Sequence, residues 1–273
     1  MGRVVKLILY YFGYQLGFSF IAAAGFCVGQ FIKNGTIEIA QGMPLSLTLG
    51  VALISTLAMA RHLVHYNYVK LNRESLSPVS GKAALIYIPL GIAAMVWMNW
   101  INDIAQLPNW FDNLFLQMKD NVFGIISVCI AAPIFEEMLF RGAIEGHLLR
   151  KWKNPRWAIL VSALIFGLIH GNPAQILFAF LLGLVLGELY YRTGSLLPCI
   201  ILHFINNTVS TILMNIYPSE DTMTDLMGAN ETQIVGIIGF GVFCILMYVF
   251  RKEFKAVSWK QPQPIEAINE KSE

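Results

Sequence analysis

Eight apolar runs, separated by short polar loops, constrain this chain more than any other feature. They cover about 7–32, 43–65, 83–101, 121–140 (with the helix continuing to about 150), 157–170, 174–191, 195–216 and 232–250. A spanning helix needs roughly 20 apolar residues, and only helices or closed barrels satisfy their own backbone in lipid. The fold class read from this pattern is all-α, a polytopic membrane bundle of about eight transmembrane helices. Of the 273 residues 56% are hydrophobic and 13% charged, against roughly 25% charged in soluble domains.

An even number of spans puts both termini on one side, and the charges say which. Seventeen of the nineteen Lys and Arg fall on the side of the termini, Arg141 among them; Lys33 and Lys119 fall on the other. That asymmetry makes both termini cytoplasmic. The loop 217–231, with Glu220, Asp221, Asp225 and Glu231 and no Lys or Arg, then faces outside. Residues 1–255 read as a single transmembrane domain, and 256–273, with Gln261-Pro262-Gln263-Pro264, as a polar, disordered cytoplasmic tail. The first run is too long for a signal-peptide core and reads as a retained span. No prenylation or myristoylation signal is expected. Cys27, Cys129, Cys199 and Cys244 lie in apolar runs without CxxC spacing, which suits packing better than disulfides or metal. No basic cluster interleaved with aromatics points to nucleic acid.

Two segments depart from the spanning pattern. The fifth run is short and ends in Gly171-Asn172-Pro173, a turn signal. Such a turn can lie at membrane depth where protein or a wet cavity surrounds it. Residues 109–118 place Trp110, Leu114 and Met118 on one helical face, as in a short interfacial helix. Gly183 and Gly187 form a GxxxG step that predicts close helix packing.

Glu136, Glu137, His170 and His203 place four ionisable residues in three of the apolar runs. Charge at membrane depth is costly and points to function. Glu137 and Arg141 are four apart on one helical face, as are His203 and Asn207. Glu136 is rotated about 100° from Glu137, so the two carboxylates need not do the same job. Pro133 removes a backbone donor, which can kink the helix and free a carbonyl. A carboxylate with a histidine can deprotonate water, and a histidine with a carboxamide can stabilise a tetrahedral oxyanion. Glu136, His170 and His203 can instead ligate Zn²⁺ with a water, although no HExxH is present. Each feature also has a structural reading. Glu137–Arg141 can be an ion pair that stitches the bundle, Asn206 and Asn207 interhelical glue, and Phe166 packing. Glu145 and His147 read as solvated residues beyond the membrane edge, and Glu188 as a bundle contact with Arg192 at i+4.

Glu136-Glu137-xxx-Arg141, Phe166-xxx-His170 and His203-xxx-Asn207, in that order and each in an apolar run, resemble the three motifs of the CPBP family. These are CAAX-processing and bacteriocin-processing intramembrane endopeptidases, also called the abortive-infection family, and they include the type II CAAX prenyl endopeptidases. The resemblance covers about 121–216. It implies an eight-helix endopeptidase in which Glu136 and His170 activate water, His203 and Asn207 form the oxyanion site, and Arg141 pairs with Glu137. The family has been described as metal-dependent and as a metal-free glutamate protease. The metal-free form, needing no cofactor, suits this chain better, because Asn is an uncommon zinc ligand. The partner implied is a membrane-embedded or lipidated peptide or protein substrate. In a bacterial or archaeal host the location is the plasma membrane, and the peptide a pheromone, leader or signal remnant. The competing functions are a non-catalytic scaffold or self-immunity protein, and a proton-coupled transporter. The last predicts matching halves, which this chain lacks.

Overall fold

The computed structural model describes residues 1–36, 42–217 and 222–259, all helix, turn or irregular chain, with no strand among them. The long helices are α1 (Gly2–Asn34), α2 (Leu45–His65), α3 (Gly81–Ala105), then the short α4 (Asp112–Met118) and the long α5 (Val122–Lys151). A hairpin of α6 (Pro155–Leu168) and α7 (Pro173–Thr193) leads to α8 (Leu197–Ile216), the short α9 (Met223–Met227) and α10 (Ala229–Glu253). Seven of these are long and apolar enough to cross a membrane; α6, at 14 residues, is not. The protein is a polytopic helical bundle whose fifth apolar run is a half-length helix.

Pairing follows side-chain volume. Gly236 of α10 lies so close under Trp100 of α3 that no Cβ would fit between them. Trp100 also donates from Nε1 to Gln233 Oε1 at 2.9 Å. In the α6–α7 hairpin the Gly183–Gly187 step packs as expected, since a Cβ on Gly183 would stand 3.0 Å from Ala163 Cα. Away from such glycines, polar ties join helices: Ser55 of α2 donates to Gln15 of α1 at 2.6 Å, and Gln15 to Thr56 at 3.2 Å.

The basic loops share one end of the bundle. Arg3 stacks on Tyr68 of the loop after α2, and Ser195 donates to the Ser75 and Ser77 carbonyls. Glu188 accepts from both Arg192 and Arg251, and Lys82 pairs with Glu253. Arg141, grouped with that end by the charge pattern, lies instead inside the bundle. The tail also departs from expectation over its first residues. Trp259 donates from Nε1 to the Tyr191 carbonyl at 2.9 Å, its ring is 5.0 Å from Tyr190, and Val257 lies against Gly194. Aromatic burial holds 254–259 on α7; the rest of the predicted disordered tail, 260–273, lies outside the described residues.

At the other end, Asp103 accepts from the Thr224 backbone at the start of α9. Glu220 and Asp221 of the acidic loop lie outside the described residues. Of the Gly171-Asn172-Pro173 turn, Asn172 is covered by protein and Gly171 is exposed. Asn172 is fully buried; it donates to Asn109 Oδ1 at 2.8 Å and accepts from the Trp110 N–H at 3.0 Å. The half-length helix thus ends against the 106–111 loop, which Asn172 ties by its side chain and Ala174 by its N–H to the Pro108 carbonyl.

Gly167 sits one turn before His170, and a Cβ there would stand 2.8 Å from the Ile176 carbonyl oxygen and 3.1 Å from Phe180 Cβ. Backbone cannot give way as a side-chain tip can. Gly167→Ala is therefore expected to splay the hairpin and to destabilise by about 1–3 kcal/mol, read as a lower thermal transition in detergent. An unchanged transition would mean that the hairpin is loosely packed.

Candidate active site

The site is built on the middle of α5, where six residues of ordinary helix, Ala132–Glu137, lie between two π-helical stretches, Ile126–Ala131 and Met138–Glu145. In the first stretch the Ala132 N–H bonds to Ser127 O, five residues back. The Val128 carbonyl would then look to residue 133, which is Pro133 and has no N–H. Asn207 of α8 supplies the missing donor: its Nδ2 lies 2.9 Å from Val128 O. The carbonyl expected to be freed by Pro133 is thus the one that ties α5 to α8. π turns of this kind are frequent at functional sites.

The charged centre follows within two turns. Glu137 is fully buried and held on both oxygens: Oε1 is 2.8 Å from His203 Nδ1, and Oε2 is 3.0 Å from Arg141 Nε. The Arg141 guanidinium lies over the Phe166 ring, 4.8 Å from its centroid. On the far side of the imidazole, His203 Nε2 is 3.7 Å from Glu136 Oε2. His203 therefore stands between two carboxylates. With Nδ1–H donated to Glu137, its Nε2 faces Glu136, where it accepts a proton or, on a doubly protonated ring, donates one.

His170 reaches this group through Phe166. Its Nδ1 is 2.7 Å from the Phe166 carbonyl, and its ring is 5.1 Å edge-on from the Phe166 ring, itself 5.8 Å from His203. Since a carbonyl only accepts, Nδ1 carries the proton and Nε2 keeps its lone pair. Asn207 lies one turn beyond His203 on α8, with one amide hydrogen spent on Val128 and its oxygen accepting from Asn206 at 3.0 Å. The structure thus gathers Glu136, Glu137, Arg141 and His203 directly and brings His170 in behind Phe166. It holds Asn207 as a strut between α5 and α8.

Zinc would need protein donors converging at about 2.0–2.2 Å on one point. Glu136 and His203 are near enough to share an ion, but among the described residues no group of three His, Cys, Asp or Glu side chains could hold one. The set falls a ligand short.

Three residues gain importance from the structure. Glu145 and His147, expected in solvent, are buried. The helix carrying them continues to Lys151 and is covered by Val69, which packs on Gly142, and by Tyr190, whose hydroxyl abuts Gly146. The i+4 spacing from Arg141 to Glu145 was the available signal. Tyr11 of α1 stacks on Phe135 with ring centroids 5.6 Å apart, and Glu136 is the charge it faces. No sequence pattern marks it.

The motif-bearing segment has known relatives. Residues 118–209 match the family described as type II CAAX prenyl endopeptidase Rce1-like, the family that the three motifs resemble. The chain is 34% identical over 119 residues to membrane peptidase YdiL of Bacillus subtilis, covering 44% of this chain and 46% of that protein. It is 32% identical over 140 residues to the membrane-embedded CAAX protease MroQ of Staphylococcus aureus, covering 50% and 56%. It is 34% identical over 90 residues to a UPF0177 protein of the abiGi 5′ region in Lactococcus lactis subsp. cremoris, covering 33% and 37%. The chain spans about half, or less, of the length of these curated relatives. No solved structure matches it.

Proposed function

We propose that this Rce1-like chain is an intramembrane endopeptidase, hydrolysing a peptide bond in a lipidated, amphipathic or leader-type substrate held at the membrane. The observation that carries the reading is the His203 imidazole between Glu137 and Glu136, within the segment matched to the family. Glu136 takes a proton from a water that His170 Nε2 helps to orient, and the hydroxide attacks the scissile carbonyl. The oxyanion forms beside His203 Nε2–H and the second amide hydrogen of Asn207. Glu136 then returns the proton to the leaving amine. Glu137 keeps the imidazole oriented, and Arg141 keeps Glu137 in place. Both termini and the basic loops lie on the cytoplasmic side, with the membrane of a bacterial cell as the setting. The incomplete donor set favours a reaction without metal.

The test is cleavage of a membrane-peptide library by the purified protein in detergent, with and without a zinc chelator. Cleavage that survives chelation supports the glutamate mechanism. Cleavage lost on chelation and restored by zinc would make it a metalloprotease. No cleavage of any peptide would favour a scaffold that has kept the motifs. Asn207 separates two roles: Asn207→Ala is expected to lower turnover about 10²–10³-fold, the loss typical of one oxyanion donor. It should also lower the thermal transition, because Val128 O loses its partner. A lower transition with unchanged turnover would leave Asn207 as a strut alone.

A further inference from the structure

Glu145 is the buried ionisable group that the proposed mechanism does not use. Its side chain is fully buried, and neither carboxylate oxygen has a hydrogen-bond partner among the described residues. The carboxylate presses on α7 where that helix has no side chain: a Cβ on Gly187 would stand 2.9 Å from Oε2 and 3.3 Å from Oε1. The charges it faces are Arg141 and Glu137 on its own helix and Glu188 on α7. Four residues before Glu145, Arg141 has the complementary shortage. Its Nε faces Glu137 and its plane lies on Phe166, yet Nη1 and Nη2 are buried without an acceptor.

A guanidinium presents five N–H donors in a fixed fork, and Glu137 addresses one edge of it. Glu137, Arg141 and Glu145 follow one another at i, i+4 and i+8 through the second π stretch, all with no exposed surface. Carboxylates stand four residues before and four residues after the arginine on the same helix. Arg141 bound to Glu137 alone would neutralise that carboxylate and weaken it as acceptor for His203 Nδ1–H. A second carboxylate draws the guanidinium the other way and leaves Glu137 the stronger partner of the imidazole.

We infer that Glu145 is a positioning residue for the reaction: through Arg141 it sets how firmly Glu137 holds His203. The inference rests on the endopeptidase reading for its effect on rate, but its coupling to Arg141 is measurable without any substrate.

The experiment compares Glu145→Gln, which keeps shape and loses charge, with Glu145→Asp, which keeps charge and loses a methylene. The inference expects charge rather than shape to set the turnover. Turnover should fall about tenfold in Glu145→Gln, with KM within about twofold, and less in Glu145→Asp. The thermal transition should fall in both, in Glu145→Gln because Arg141 keeps a compensating carboxylate at one end only, and in Glu145→Asp because a methylene is lost from a packed site. Turnover like wild type in Glu145→Gln and impaired in Glu145→Asp would make Glu145 a space-filling residue and overturn the inference. A double-mutant cycle of Glu145→Gln with Arg141→Lys, read by thermal transition, is the arm that needs no activity. Coupled residues should give a double-mutant shift well short of the sum of the single shifts. Additive shifts would overturn the inference even if the protein cleaves peptides. If the wild type cleaves none, the protease reading fails, and the cycle alone decides whether Glu145 holds Arg141.

Discussion

Glu136→Gln protein in detergent is expected to keep the wild-type thermal transition and to lose turnover by about 10²–10⁴-fold, the usual worth of a positioned general base. The two halves of that expectation have separate grounds. Gln matches Glu in shape, and Glu136 is the less confined of the two carboxylates, with 17% of its side chain exposed against none for Glu137. The His203 Nε2 it faces is 3.7 Å away, too long for a hydrogen bond on which folding would depend. A carboxamide cannot accept the proton of a water, so chemistry is lost where structure is kept. Glu137→Gln should behave differently, because it disturbs a bond of 2.8 Å to His203 and an ion pair of 3.0 Å to Arg141 at once. Wild-type turnover in Glu136→Gln would remove Glu136 as the base and pass the role to His203 Nε2, oriented by Glu137.

The parts of this molecule that sequence made legible are those set by spacing along one helix. Glu137–Arg141 and Glu188–Arg192 are i,i+4 pairs, and both form. The Gly183–Gly187 step packs closely, and the Gly171-Asn172-Pro173 run is a turn. What stayed hidden depends on which helices meet. Nothing in the 121–142 run says that Glu137, rather than Glu136, faces His203 Nδ1; that follows from the rotation that two π stretches impose on α5. The consequence of Pro133 was half legible. A missing donor could be read from the sequence, but its replacement by Asn207, 79 positions from Val128, could not. The burial of Glu145 escapes the sequence for a related reason: hydropathy marks where apolar residues end, while burial depends on what covers them. Here Tyr190 and the loop with Val69 extend the interior past the apolar run.

Arg141→Ala is expected to be the most damaging single change to the fold, at about 3–5 kcal/mol, the usual consequence of removing one partner from a buried ion pair. Arg141 is fully buried, Glu137 loses its cation, and Glu145 loses the charge it faces on the same helix. Phe166 also loses the guanidinium over its ring, and Phe166 is the link between His170 and His203. Activity should therefore fall with stability, and a lower protein yield should accompany both. The exposed pair Lys82–Glu253, at 3.1 Å with side chains 75% and 41% exposed, supplies the contrast. Lys82→Ala there should change stability by no more than about 1 kcal/mol, because water screens and replaces such a pair. The comparison is read from thermal transitions of the two variants in the same detergent. Equal small shifts would mean that water reaches Arg141, and the dry, interlocked centre described here would have to be given up. A large shift for Arg141→Ala with the Glu136→Gln transition unmoved would separate the residue that builds the site from the residue that reacts in it.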